Sequence, residues 1–170
     1  MPKISVITPS IRPEGLPMVK SALDAQTFRD FEWLVCSPQD LAKPWPVLGI
    51  ATFIKEPPRN EGDFYGLNKA FNALIKVSRG TLIVPWVDWT TAPKDTLERF
   101  WRQYKTDKWK CTSVPMHLYY DRELTNLMWE DPRFRLYNKP GWQSCPPVMF
   151  DFALSAIPKR AFEVAGYLDE

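Results

Sequence analysis

Thr81-Leu-Ile-Val-Pro-Trp-Val-Asp88-Trp-Thr-Thr91 is the stretch on which the fold turns. Leu82 to Val87 carry no polar side chain, and a carboxylate follows at Asp88. A short apolar run without alternation marks a strand covered on both faces, so Thr81–Val87 is predicted to be a buried strand. A carboxylate is costly to desolvate without a partner. Asp88 therefore belongs at an exposed strand end, where it either caps the next helix or holds a cation.

Helical periodicity flanks this strand. Upstream, residues 63–78 place Phe64, Leu67, Phe71 and Leu74 on one stripe, widened by Ala70 and Val77, with Gly80 as a C-terminal stop. Downstream, Pro93 opens a helix with Leu97, Phe100, Trp101 and Tyr104 on one side. Lys3–Thr8 is a first strand, rich in β-formers (Ile4, Val6, Ile7) and ended by Pro9. Leu16, Val19, Ala22 and Leu23 recur at helical spacing behind a turn at Ser10–Gly15. Phe31–Cys36 is a second strand and Ile50–Ile54 a short third. Further on, Val114, Met116, Leu118 and Tyr120 alternate as a strand does, and residues 121–147 read as loop. Val148–Leu154 is the last expected strand, and Lys159–Ala165 a helix ended by Gly166.

Strands alternating with helices imply a mostly parallel sheet with helices on its faces. Right-handed crossovers put the C-terminal ends of parallel strands on one edge, and ligands bind there. The segments to inspect are Pro9–Glu14, Ser37–Asp40, Lys55–Asp63 and Asp88–Thr91.

Composition narrows the function. With 22 Lys and Arg against 20 Asp and Glu, the formal charge of +2 argues against a nucleic-acid coat. No apolar run reaches the roughly 18 residues of a membrane-spanning helix, and the N-terminus runs into a strand without a signal-peptide layout. Cys36, Cys111 and Cys145 share no CxxC spacing and His117 is the only histidine, so neither a zinc site nor a disulfide framework is expected. The expected compartment is a reducing cytosol.

The edge segments carry few strong motifs. Thr8-Pro9-Ser10-Ile11-Arg12 offers hydroxyls, backbone amides and a guanidinium, but neither GxGxxG nor GxxxxGK[ST]. It reads equally as an ordinary strand-to-helix turn. Asp63 at a helix start is favourable for dipole reasons alone. Asn68 and Lys69 sit among apolar helix positions, either on a solvated face or pointing at a phosphate or sugar. The aromatic residues Trp129, Phe134, Tyr137 and Trp142 could stack on an acceptor, and Arg133 and Arg135 are too sparse for a basic patch.

Taken in order, several segments resemble the family 2 inverting glycosyltransferases of GT-A fold. Ile4-Ser-Val-Ile-Thr-Pro-Ser10 with Arg12, Pro13 and Leu16, then Ala25-Gln-Thr-Phe28 and Asp30-Phe-Glu-Trp-Leu-Val35, is similar to that family's first β-α-β unit. Asp63-Phe-Tyr-Gly-Leu-Asn68-Lys69-Ala70, followed by Gly80-Thr-Leu-Ile83, is similar to the stretch before its metal strand. Asp88 with Pro93 and Leu97 resembles its acidic metal motif, and Ala165-Gly-Tyr-Leu-Asp-Glu170 its GGFDE segment.

The resemblance implies a Rossmann-like GT-A domain over residues 1–170, with a nucleotide-sugar-binding half at 1–90 and an incomplete acceptor half at 91–170. It implies a nucleotide-sugar donor, commonly a UDP-sugar, with Mn²⁺ or Mg²⁺ on its diphosphate. Thr8, Pro9, Ser10, Arg12 and Glu14 would line the nucleoside pocket. Ser37 and Asp40, Glu61 or Asp63, and Asn68 and Lys69 would lie near the base and phosphates. Asp88 would hold the metal.

The sequence departs from the family in three places. The second strand ends in Cys36-Ser37-Pro38-Gln39, with Asp40 beyond, where the family carries paired aspartates. The metal motif holds the single Asp88 between Trp86 and Trp89. An inverting reaction needs a general base, and the family places it beyond GGFDE. Here the base falls to Asp151, Asp169 or Glu170, or the sequence is a truncated piece, or the chain is a degenerate module that binds a nucleotide, a sugar or a protein partner without transfer. A missing final helix would leave apolar sheet surface for a partner or self-association. The acceptor is not specified, and the low net charge argues against nucleic acid.

Overall fold

The computed structural model describes residues 1–11, 13–38, 49–58, 66–113, 117–119, 142–144 and 152–169. β1 (Ile4–Pro9) is buried along its whole length, as its β-branched content requires. It pairs in parallel with β2 (Phe31–Ser37), with Ile4 opposite Phe31, and in parallel with β4 (Leu82–Pro85), with Ile4 opposite Leu82. β3 (Ala51–Lys55) extends β2 in parallel. β5 (Thr112–Ser113) and β8 (Ser155–Pro158) complete a six-stranded sheet of order β3-β2-β1-β4-β8-β5. β6 (His117–Tyr119) and β7 (Trp142–Ser144) form a separate antiparallel pair.

Helices cover both faces. α1 (Leu16–Asp24) and α3 (Thr96–Thr106) bury Leu16, Val19, Leu23, Leu97 and Phe100 against Ile4, Val6, Trp33, Val84 and Trp86. α2 (Gly66–Val77) and α4 (Lys159–Ala165) bury Ala70, Phe71, Leu74, Ile75 and Phe162 against Ile7, Leu34, Cys36 and Ile83. The alternation of Ile4, Val6 and Ile7 between these two cores is the strand period of two. The architecture is the expected α/β sandwich.

Four local expectations differ from the structure. The last described strand starts at Ser155; of the expected Val148–Leu154, residues 148–151 lie outside the described residues, and Leu154 joins the sheet as an isolated bridge to Trp86. Small residues (Ser155, Ala156) suffice there because β8 is an inner strand between β4 and β5. β8 also runs antiparallel to β4, so the sheet is mixed at this end. On α2, Leu67 and Val77 are 55% and 49% exposed, because Ile75 supplies the next turn of the buried stripe after Phe71. Gly80 lies beyond the end of α2, and its role is close approach: a Cβ there would come within 2.5 Å of the Ser5 nitrogen. Val114–Met116, Tyr120, residues 121–141 and 145–151, and Phe64 lie outside the described residues.

Candidate functional site

Strand order creates one privileged position. The chain goes from β1 to β2 on one side and returns to β4 on the other, so the carboxyl ends of β1 and β4 flank the topological switch point. Open α/β sheets bind ligands in the crevice outside such a point. Ser10 and Asp88 stand on either side of it, and Ser10 Oγ donates to Asp88 Oδ2 at 2.9 Å. Both are largely buried, so Asp88 is not at the exposed strand end that its sequence context suggests, and the Ser10 hydroxyl is a donor that offsets its desolvation. The backbone N–H of Ser10 donates to the Cys36 carbonyl at 2.9 Å, so one residue ties the ends of β1, β2 and the loop after β4.

Asp88 does not cap α3. That N-cap is Asp95, and the first-turn N–H of Leu97 is satisfied by the Gln26 side chain at 3.0 Å. The helix-cap alternative for Asp88 is thereby removed.

Thr8 secures the same strand ends from inside. Its hydroxyl donates to the Trp86 carbonyl at 2.6 Å and accepts from the Trp33 indole N–H at 2.9 Å. Pro9, the last residue of β1, is buried beside it. Glu14 is exposed in the 3-10 turn Pro13–Gly15. Ser37 is buried at the end of β2, where its carbonyl accepts from the Glu56 N–H at 2.9 Å. Arg12, Asp40, Glu61, Asp63, Asp151 and Glu170 lie outside the described residues.

α2 runs back from the carboxyl edge of β3, so its first turn lies on the same edge as Ser10 and Asp88. That turn carries Asn68 and the buried Lys69. Asn68 Nδ2 donates to the Asp169 carbonyl at 2.6 Å, which brings the C-terminal acidic segment to this edge.

Three features escaped the sequence reading. Glu56 is buried just after β3. Together with burial, the larger cause, its charge pushes the Cys36 thiol up to about 12, so Cys36 is a packing residue and no nucleophile. The signal available was position alone: Glu56 follows an edge-facing strand end. Trp89 adopts φ 60, an uncommon conformation for a bulky residue, directly after Asp88. Gly15 lies against it, and nothing in the sequence spacing marks that contact. The third feature is Asn72, which is 1% exposed in mid-helix and bonded to Leu168.

Among the described residues no group of three or more His, Cys, Asp and Glu gathers as a metal cage. Mg²⁺ ordinarily takes one or two carboxylates, with phosphate oxygens and water completing its octahedron. Asp88, a hard oxygen donor anchored at the strand end, fits that minimal role.

No protein-family model and no curated protein matches the sequence. Among solved structures, the chain is similar to the crystal structure of residues 1–349 of S. aureus TarS, with a TM-score of 0.60 at 13% identity. The match covers 98% of this chain and 50% of that one, so the chain spans about half the length of the TarS structure. The two share the α/β sandwich, a mostly parallel sheet with helices on both faces. Likeness at this identity shows the fold alone. Among the described residues no helix is long and apolar enough to cross a membrane.

Proposed function

We propose that this chain binds a nucleotide-sugar donor at the β1/β4 edge and transfers its sugar to an acceptor hydroxyl with inversion. The observation that carries the proposal is the Ser10–Asp88 hydrogen bond at the switch point. Similarity of fold to TarS, a glycosyltransferase, supports the reaction class.

Each group has a chemical task. A divalent cation, Mn²⁺ or Mg²⁺, would be held by Asp88 and would supply charge stabilisation to the diphosphate leaving group. Ser10 orients the Asp88 carboxylate. Lys69, on the first turn of α2, adds positive charge at the same edge. Asp169, whose backbone carbonyl Asn68 holds at this edge, is assigned as the base: it takes the proton of the acceptor hydroxyl as that oxygen bonds to the anomeric carbon. The bond from that carbon to the diphosphate oxygen breaks, and its electron pair leaves with the nucleoside diphosphate. A UDP-sugar is the first donor class to test.

The test is release of nucleoside diphosphate from a panel of nucleotide sugars by the full chain with Mn²⁺, with water as the default acceptor. Metal-dependent release from one donor, abolished in Asp88→Asn, supports the assignment. Donor binding without release in the presence of candidate acceptors would mark a binding module instead.

A further inference from the structure

We propose that Asn72 and Asn68 are positioning residues that hold Asp169 at the donor edge, with Gly166 as the turn that makes this reach feasible. The proposal deepens the functional reading above and rests on it for its chemical consequence.

The sequence of contacts is continuous. α4 ends at Ala165, and Gly166 follows with φ 94 and ψ 170. That backbone region is essentially open to glycine alone. A Cβ at Gly166 would meet nothing within 4 Å, so the requirement is conformational, not steric. The turn sends the chain away from α4 and across α2. Tyr167 then lies under the Lys76 ammonium, 5.1 Å from the ring centroid.

Next comes a reciprocal amide pair. Asn72 Nδ2 donates to the Leu168 carbonyl at 2.7 Å, and the Leu168 N–H donates to Asn72 Oδ1 at 3.0 Å. One side chain thus satisfies both backbone groups of one residue, as a neighbouring strand would. Asn68, one helical turn earlier, takes the Asp169 carbonyl at 2.6 Å. Partners at positions 76, 72 and 68 of α2 for Tyr167, Leu168 and Asp169 mean that the segment runs antiparallel to the helix. It therefore travels toward the first turn of α2, which is the donor edge.

This accounts for a local cost. Asn is a poor mid-helix residue, and burying its amide requires full hydrogen bonding. An apolar residue at position 72 would leave the Leu168 amide and carbonyl without these partners. Asn72 is explained by what it holds.

The experiment combines hydrogen exchange of the 166–169 backbone with donor hydrolysis, on full-length wild type, Asn72→Ala, Asn68→Ala and Gly166→Ala. Asn68 is only half-buried, so its variant keeps the test usable if Asn72→Ala folds poorly. The expected result is faster exchange at 166–169 and a fall in kcat on the order of tenfold to a hundredfold, the scale of a misplaced catalytic group, with KM for the donor unchanged. Unchanged exchange overturns the proposal, and so does faster exchange with unchanged kcat. Wild-type protein that binds donor without turnover also overturns it, because a held carboxylate then has no consequence. Failure of the wild type to bind any donor of the panel takes down the functional reading as well.

Discussion

Trp89 lies across Gly15 so closely that a Cβ on Gly15 would come within 2.7 Å of Trp89 Cδ1 and 2.8 Å of its backbone nitrogen. Gly15 has ordinary helical dihedrals (φ −79, ψ −17), so glycine is needed there for space. The turn after β1 and the loop after β4 are thereby clasped twice, at Gly15–Trp89 and at Ser10–Asp88.

Gly15→Ala should therefore push the Asp88–Trp89 loop outward and cost about 1–3 kcal/mol, the usual range for overpacking. Urea denaturation measures this. Trp89→Ala in the same background should recover only part of the loss, because the backbone nitrogen of Trp89 is as near as its ring. Full recovery would show that the backbone moves freely and that the clasp is a ring contact only.

Thr8→Val keeps the shape of the side chain and removes its hydroxyl. The Trp33 indole N–H and the Trp86 carbonyl each lose the partner that Thr8 supplies. A loss of about 1–3 kcal/mol is expected for such buried groups. Thr8→Ser, which retains the hydroxyl, should cost less. A larger loss in Thr8→Ser than in Thr8→Val would mean that packing of the methyl group dominates.

Acid sensitivity should trace in part to Glu32. Burial works to raise its pKa, but donors outweigh it: Ser5 Oγ at 2.6 Å, the Arg79 N–H at 2.7 Å and the Arg79 guanidinium at 2.8 Å. The net result is a carboxyl held below its ordinary 4.5. A depressed folded pKa gives stability that is complete above 4.5 and is lost as pH falls through the lowered value. Glu32→Gln should be less stable than wild type at pH 7, by about 2 kcal/mol given bonds to a charged group. The gap should close as pH drops below the ordinary carboxyl range. A gap constant down to pH 3 would place the effect in packing.

Much of the fold was legible because its buried strands are unambiguous. Ile4, Val6 and Ile7 lie between Lys3 and Thr8, and Leu82 to Val84 open the apolar run bounded by Thr81 and Asp88; each lies in the sheet as expected. Two helix cores were legible through Phe71 and Leu74, and through Leu97 and Phe100. β8 was not, because Ser155 and Ala156 carry no hydrophobic signal and owe their burial to the strands on either side. Its antiparallel direction depends on a long connection whose path local pattern does not encode.

The candidate site was legible at Ser10 and Asp88, since chain order alone puts strand ends on one edge. The Gly15–Trp89 contact and the Asn72–Leu168 pair were not. Each joins residues more than 70 positions apart, and neither glycine nor asparagine announces its partner.

The central claim is that Asp88 anchors a cation and a diphosphate at the β1/β4 switch point. Calorimetric titration of UDP into wild type and Asp88→Asn, each with and without Mn²⁺, tests it most directly. The account predicts that Mn²⁺ tightens binding to the wild type and that Asp88→Asn, with its Ser10 contact still possible through the amide oxygen, loses the metal-dependent part. Identical UDP affinity in all four titrations would contradict it.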